Sequence, residues 1–241
     1  MRRMRPAWGV AKGGNVLTAA LRIAAKDLRL SLRGAQGLAQ TALLGLLIIF
    51  VFSLSRQPGE AVPPLAASAI FWLSTLFSQV LVYSGLYALE ENSGARMGLA
   101  MAPMPMQAVW LGKALAGFFL VACCQVIFGL AVAVFLGQTL AGSLVAGIGF
   151  ALAVDLGLAA LGSLMGALSA GKSARESILT VIFFPLIIPV LLAGIKLLEG
   201  VIAGGVGQQD QTGWLGMALA FAAVFSAASL VLFPFIYTGE E

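Results

Sequence analysis

The chain has 241 residues, 60% of them hydrophobic and only 10% charged, with a net charge of +4. Soluble domains carry about 25% charged residues, so a chain this poor in charge cannot cover a soluble surface; it reads as an integral membrane protein with no room for a separate soluble domain. There is no histidine, which removes the commonest metal ligand, haem ligand and general base, and the basic residues sit beside apolar runs, a membrane pattern rather than a nucleic-acid one.

The N-terminal MRRMRPAWGVAK is basic but lacks an apolar region with a small-residue cleavage site, so it is not read as a signal peptide. Residues 16–33 have the spacing of an amphipathic helix. Leu17, Leu21, Ala25, Leu28 and Leu32 form one stripe, and Arg22, Lys26, Arg29 and Arg33 form another roughly 120° away. Such a helix can lie at an anionic membrane surface with its leucines in lipid and its cations at the headgroups. The alternative is a solvated helix packed on the rest of the chain.

Six apolar runs follow, at about 37–55, 62–89, 108–136, 140–168, 177–198 and 213–236. The second is about 40 Å long at ~1.5 Å per residue, more than the ~30 Å hydrocarbon core, so it must tilt, kink or project. The predicted fold is an all-α membrane protein, one transmembrane domain over 1–241. With the N-terminus inside, twelve of the Lys and Arg residues fall inside and two, Arg56 and Lys196, fall outside. That asymmetry predicts cytoplasmic N- and C-termini.

Between the second and third runs lies the longest interruption, LEENSGARMGLAMAPMPMQAVWLGK, from Leu89 to Lys113. Gly94 and Gly98 permit a reversal, while Pro103 and Pro105 stiffen the return. Glu90, Glu91 and Arg96 are expected at the rim of a docking surface, with Met97, Leu99, Met101, Met104 and Met106 as adaptable apolar contacts.

Five further features stand out. Asp155, near the middle of the fourth run, costs ~2.5–3.5 kcal/mol on insertion scales. It is either a functional group at a cavity or a satisfied interhelical contact. Pro185 and Pro189 leave the carbonyls of Val181 and Pro185 without helical partners, so the fifth run should be kinked, for packing or as a hinge. Gly162 and Gly166 form a G-x-x-x-G close-packing face, and adjacent Cys123 and Cys124 read as small packing residues. Gly166–Ser173, GALSAGKS, fits the P-loop pattern, but a P-loop needs a preceding strand and a soluble α/β domain; here it reads as a polar loop with an inside lysine.

Four of these pieces, in order, resemble the haem exporter protein B family (CcmB), the membrane subunit of the cytochrome c biogenesis ABC transporter: AAKDLRLSLRG, LYALEENSGARMGLAMAPMPMQAVWLGK, SAGKSARESIL and FFPLIIPVLL. The family usually has a longer, more acidic loop, and here Leu99-Ala100 stands where a second acid is expected. The resemblance implies an ABC-2 type permease in the bacterial inner membrane, without catalysis of its own and with no cofactor bound by this chain. It implies ATP on a cytoplasmic ABC ATPase subunit (CcmA-like) and haem as the handled or transported ligand. Further implied partners are haem-handling membrane proteins (CcmC/CcmD-like), indirectly a periplasmic haem chaperone (CcmE-like), and membrane lipid. The same architecture would also serve an ABC-2 permease exporting another small or lipid-like substrate. A proton-coupled carrier using Asp155 is a third class, disfavoured by the lack of an evident internal repeat.

Overall fold

The computed structural model describes residues 15–34, 36–55, 62–102, 104–139, 141–169, 175–204 and 211–238; of Gln36, Asn92, Ala100, residues 175–184 and Thr238 only the backbone is described. All the regular structure among the described residues is helical. In chain order the helices are α1 (Val16–Arg33), α2 (Gln36–Leu54), α3 (Pro64–Ser93), α4 (Ala95–Ala100), α5 (Met106–Phe135), α6 (Leu144–Ser169), α7 (Arg175–Ile202) and α8 (Gln211–Thr238). Six of them, α2, α3, α5, α6, α7 and α8, contain stretches long and apolar enough to cross a membrane. The all-helical, six-span fold expected from the sequence therefore holds.

These six helices are apolar around most of their circumference, as helices between lipid and a protein interior must be. Their ends follow local chemistry. Pro64 opens α3, where its missing N–H is not needed, and Gly94 closes it at φ 69°, donating its N–H to the carbonyls of Glu90 and Glu91. Gly98 has no positive φ, because the chain enters the short helix α4 directly at Ala95 and the reversal is complete at Gly94. α6 starts at Leu144, later than its apolar run. The Gly142 N–H is drawn to the Val201 carbonyl of α7, and Ser143 takes up the first free amides: its Oγ accepts from Ala146 N–H at 3.4 Å. α7 continues as helix through Pro185 and Pro189, both exposed.

α3 packs on α2, α5, α6 and α7, and α6 packs on α3, α5, α7 and α8, so α3, α5 and α6 form the middle of the bundle. The interior has two apolar layers. One gathers Ile49, Trp72, Phe128, Leu158 and Leu197. The other, toward α1, gathers Tyr83, Tyr87, Trp110, Leu164 and Phe233.

The G-x-x-x-G face is the seam between α6 and α3, and it receives tyrosine rings. A Cβ on Gly162 would stand 2.6 Å from the Tyr83 ring and 2.7 Å from Gln79 Nε2; one on Gly166 would stand 2.5 Å from the Tyr87 ring. Cys124 is buried as expected of a packing residue, whereas Cys123 is exposed: adjacent positions on a helix point about 100° apart, so one of the pair faces outward. Gly162→Val should cost about 1–3 kcal/mol, since the added carbons meet fully buried neighbours. Thermal unfolding in detergent checks this, and an unchanged midpoint would mean that the tyrosine seam yields freely.

Candidate functional site

α1 carries Ala20, Ile23, Ala24 and Asp27 on one face, at spacings of three and four residues, and this face is buried against α5. Gly112 permits the close approach, because a Cβ there would lie 2.8 Å from the Ala20 carbonyl oxygen and from Ile23. The contact brings Asp27, only 2% exposed, to Lys113 of α5, which is completely buried. Lys113 Nζ lies 3.3 Å from Asp27 Oδ2 and 3.0 Å from Glu90 Oε1 at the end of α3. It also donates to the Leu86 carbonyl at 2.9 Å and sits 4.6 Å above the centre of the Tyr87 ring.

Lys26 closes the figure from outside, 2.9 Å from Asp27 Oδ1 and 2.9 Å from Glu90 Oε1. The Tyr237 hydroxyl at the end of α8 donates to Glu90 Oε2 at 3.1 Å. Each carboxylate oxygen of Asp27 and Glu90 thus has a donor, and two ammonium groups balance two carboxylates. Burial pulls the Lys26 ammonium down, but its hydrogen bonds to Glu90 and Asp27 and their charges outweigh that and leave it above the ordinary lysine value. Full pairing is what permits charges at this depth, since a buried ion without partners is strongly destabilising. Four helices that are far apart in sequence are tied at one point.

The interruption after α3 is anchored to this cluster. Arg96 of α4 reaches Glu91 Oε2 at 3.4 Å, donates to the Tyr237 carbonyl at 3.0 Å and stacks 5.1 Å over the Tyr237 ring. Leu99, Met104 and Met106 turn inward onto the apolar layer beneath. Met97 and Met101 turn outward, 68% and 76% exposed. Pro105 precedes the first turn of α5 in extended conformation. Pro103 lies outside the described residues, as do residues 170–174, which hold the second half of the GALSAGKS motif. That motif's first residues, Gly166–Ser169, are the last turn of α6, with no strand before them.

Several expectations change. Glu90 is not a rim charge but a buried member of the cluster, because Lys26, Lys113 and Tyr237 converge on it. Lys26 is turned from the headgroup stripe toward Glu90 and Asp27, while Arg22, Arg29 and Arg33 are exposed. Leu17, Leu21 and Leu32 of the apolar stripe are exposed too, since α1 uses its small-residue face to pack. Asp27 and Tyr237 were not among the sequence candidates, and Lys113 stood only as the end of a loop. The one signal for Asp27 is that an acid falls in step with Ala20, Ile23 and Ala24.

Asp155 lies away from the cluster, in the middle of the bundle. Gln125 Nε2 of α5 donates to its Oδ1 at 2.8 Å. Nearby, Gln79 of α3 donates to the Leu158 carbonyl at 2.6 Å and the Tyr83 hydroxyl donates to the Ala114 carbonyl at 3.1 Å. Pro185 and Pro189 belong to neither constellation.

Six apolar helices packed around an apolar interior that holds a few buried polar groups, with a paired charge cluster at the end that carries α1, define a multi-pass membrane protein. The sequence pattern of the CcmB protein family matches residues 18–239, and the chain belongs to that family. It is similar to heme exporter protein B of Rhodobacter capsulatus, 28% identical over 210 residues that cover 87% of this chain and 92% of the relative. It is also similar to the proteins of that name from Paracoccus denitrificans, 28% identical with coverage of 87% and 92%, and Pseudomonas aeruginosa, 24% identical with coverage of 90% and 96%.

Proposed function

We propose that this chain is the membrane permease of an ABC transporter serving c-type cytochrome maturation in the bacterial inner membrane. A separate cytoplasmic ATPase hydrolyses ATP. This subunit passes the resulting motion to haem export, or to release of a haem-loaded periplasmic chaperone from haem-handling membrane partners. The observation that carries the reading is the family match across nearly the whole chain, joined to relatives named for heme export. The charge cluster supports the coupling part: a push on α4 reaches α3 through Glu91, α8 through Tyr237, and α1 and α5 through Glu90, without a flexible link between.

The test is loss of the chain in its host. Covalently haem-stained c-type cytochromes should disappear while haem-loaded chaperone accumulates. Normal cytochrome c with an ATP-dependent defect in another exported compound would favour the other-substrate permease instead.

The lysine and arginine distribution orients the bundle with α1, α4 and both termini on the cytoplasmic side. With Cys123 and Cys124 replaced, single cysteines at Gln57 and Gln209 should react with an impermeant thiol reagent in intact cells, and those at Ser93 and Ser173 should not. Labelling at Ser93 from outside would invert the bundle and remove α4 from any cytoplasmic ATPase.

A further inference from the structure

Where α3, α5 and α6 meet at mid-bundle, two buried oxygens line a narrow, mostly apolar cleft and have no donor among the described residues. Asp155, 2% exposed, accepts from Gln125 at Oδ1, but its Oδ2 is buried and has no partner among the described residues. Gln79, 4% exposed, donates from Nε2 to the Leu158 carbonyl, and its Oε1 is likewise buried without a partner among the described residues. Both side chains line one cleft with Tyr83, Phe118 and Val121, and the cleft leaves no room for a water-sized molecule. The titratable neighbour from α3 is Tyr83, whose hydroxyl is committed to the Ala114 carbonyl. Where α8 packs on this part of α6 it brings Phe221 and Ala222, beside Gly157. No cation forms an ion pair with Asp155 among the described residues; the lysine and arginine pairs lie elsewhere.

With Asp155 ionised, these are two acceptors without a donor, one of them a charge in apolar surroundings, and both features are strongly disfavoured. We propose that Asp155 is a proton-binding site. At neutral pH it carries a proton on Oδ2 and donates it to Gln79 Oε1, so that one neutral acid joins α3, α5 and α6. A proton needs no volume, which suits a cleft too tight for water, and it turns an acceptor pair into a donor–acceptor pair. The inference does not depend on the transport reading.

The test is infrared spectroscopy of the purified full chain in lipid at neutral pH. The wild type should show the carbonyl stretch of a protonated carboxylic acid, and Asp155→Asn should lack it. The asparagine should fold, because its amide can donate to Gln79 while its oxygen accepts from Gln125. Gln79→Leu should keep the band but move it to higher frequency, as the acid loses its acceptor. Absence of the band in the wild type, or its persistence in Asp155→Asn, overturns the proposal. Should the asparagine variant fail to fold, an unmoved band in Gln79→Leu overturns it as well.

Discussion

Lys113→Met is expected to lower the stability of the bundle by roughly 3–5 kcal/mol, although it makes the chain more apolar, the change usually tolerated inside a membrane protein. The methionine fills nearly the same space. What it removes is the ammonium that serves Asp27 Oδ2, Glu90 Oε1 and the Leu86 carbonyl together. Two buried carboxylates would be left with Lys26 as their cation, and Lys26 is 41% exposed and correspondingly screened by solvent. The cost comes from stranded charge rather than lost attraction, so removing the charges together should restore much of it. A triple variant with Asp27→Asn, Glu90→Gln and Lys113→Met should unfold in detergent much closer to the wild type than the single variant does. If Lys113→Met melts like the wild type, the cluster does not hold α1 to the bundle.

The six spans were legible because a membrane imposes a length and a composition, and both are local properties of a sequence. The end of α3 and the start of α5 were legible only in part. The apolar runs stop at Leu89 and resume near 108, whereas α3 continues to Ser93 before Gly94 and α5 already begins at Met106 after Pro105. One residue's backbone chemistry, not hydropathy, sets each of these ends. The cluster was not legible. Asp27 and Lys113 are 86 residues apart and Tyr237 and Glu90 are 147 apart, and nothing in either neighbourhood fixes which helices touch. Lys26 lay in the basic stripe of residues 16–33 and Lys113 near the start of the third apolar run, where a cation is ordinarily a headgroup or inside-loop charge. The placement that made Lys113 a structural ion is the approach of α1 at Gly112. Asp155 stands out in the sequence as a costly mid-span acid, but its partner Gln125 and its neighbour Gln79 come from two other helices.

The proposed ATPase-docking surface is tested best at the side chains of 90–107 that face outward. Within 90–107, Leu99 faces the interior, so a charge there would unfold the chain's own packing and confuse loss of fold with loss of partner. Met97 and Met101 are large apolar side chains of this stretch that stand in the open, on α4 and at its C-terminal end, with α4 tied by Arg96 to Glu91 and Tyr237. Two flexible thioether side chains on a rigid base suit a groove in a soluble partner, as in helix-in-groove recognition. Anchors of this kind typically cost ~1–2 kcal/mol or more each when truncated, and a buried aspartate costs further because its charge must be desolvated. Met97→Asp with Met101→Asp should therefore reduce co-purification of the ATPase by at least tenfold while the variant still inserts and unfolds like the wild type. Mature cytochrome c should fall with it. Arg96→Ala should have a weaker effect of the same sign, because it loosens the base and leaves the anchors. Undiminished co-purification in the double aspartate variant, with normal cytochrome c, would move the docking surface away from α4, to residues 169–176 or to the exposed face of α1.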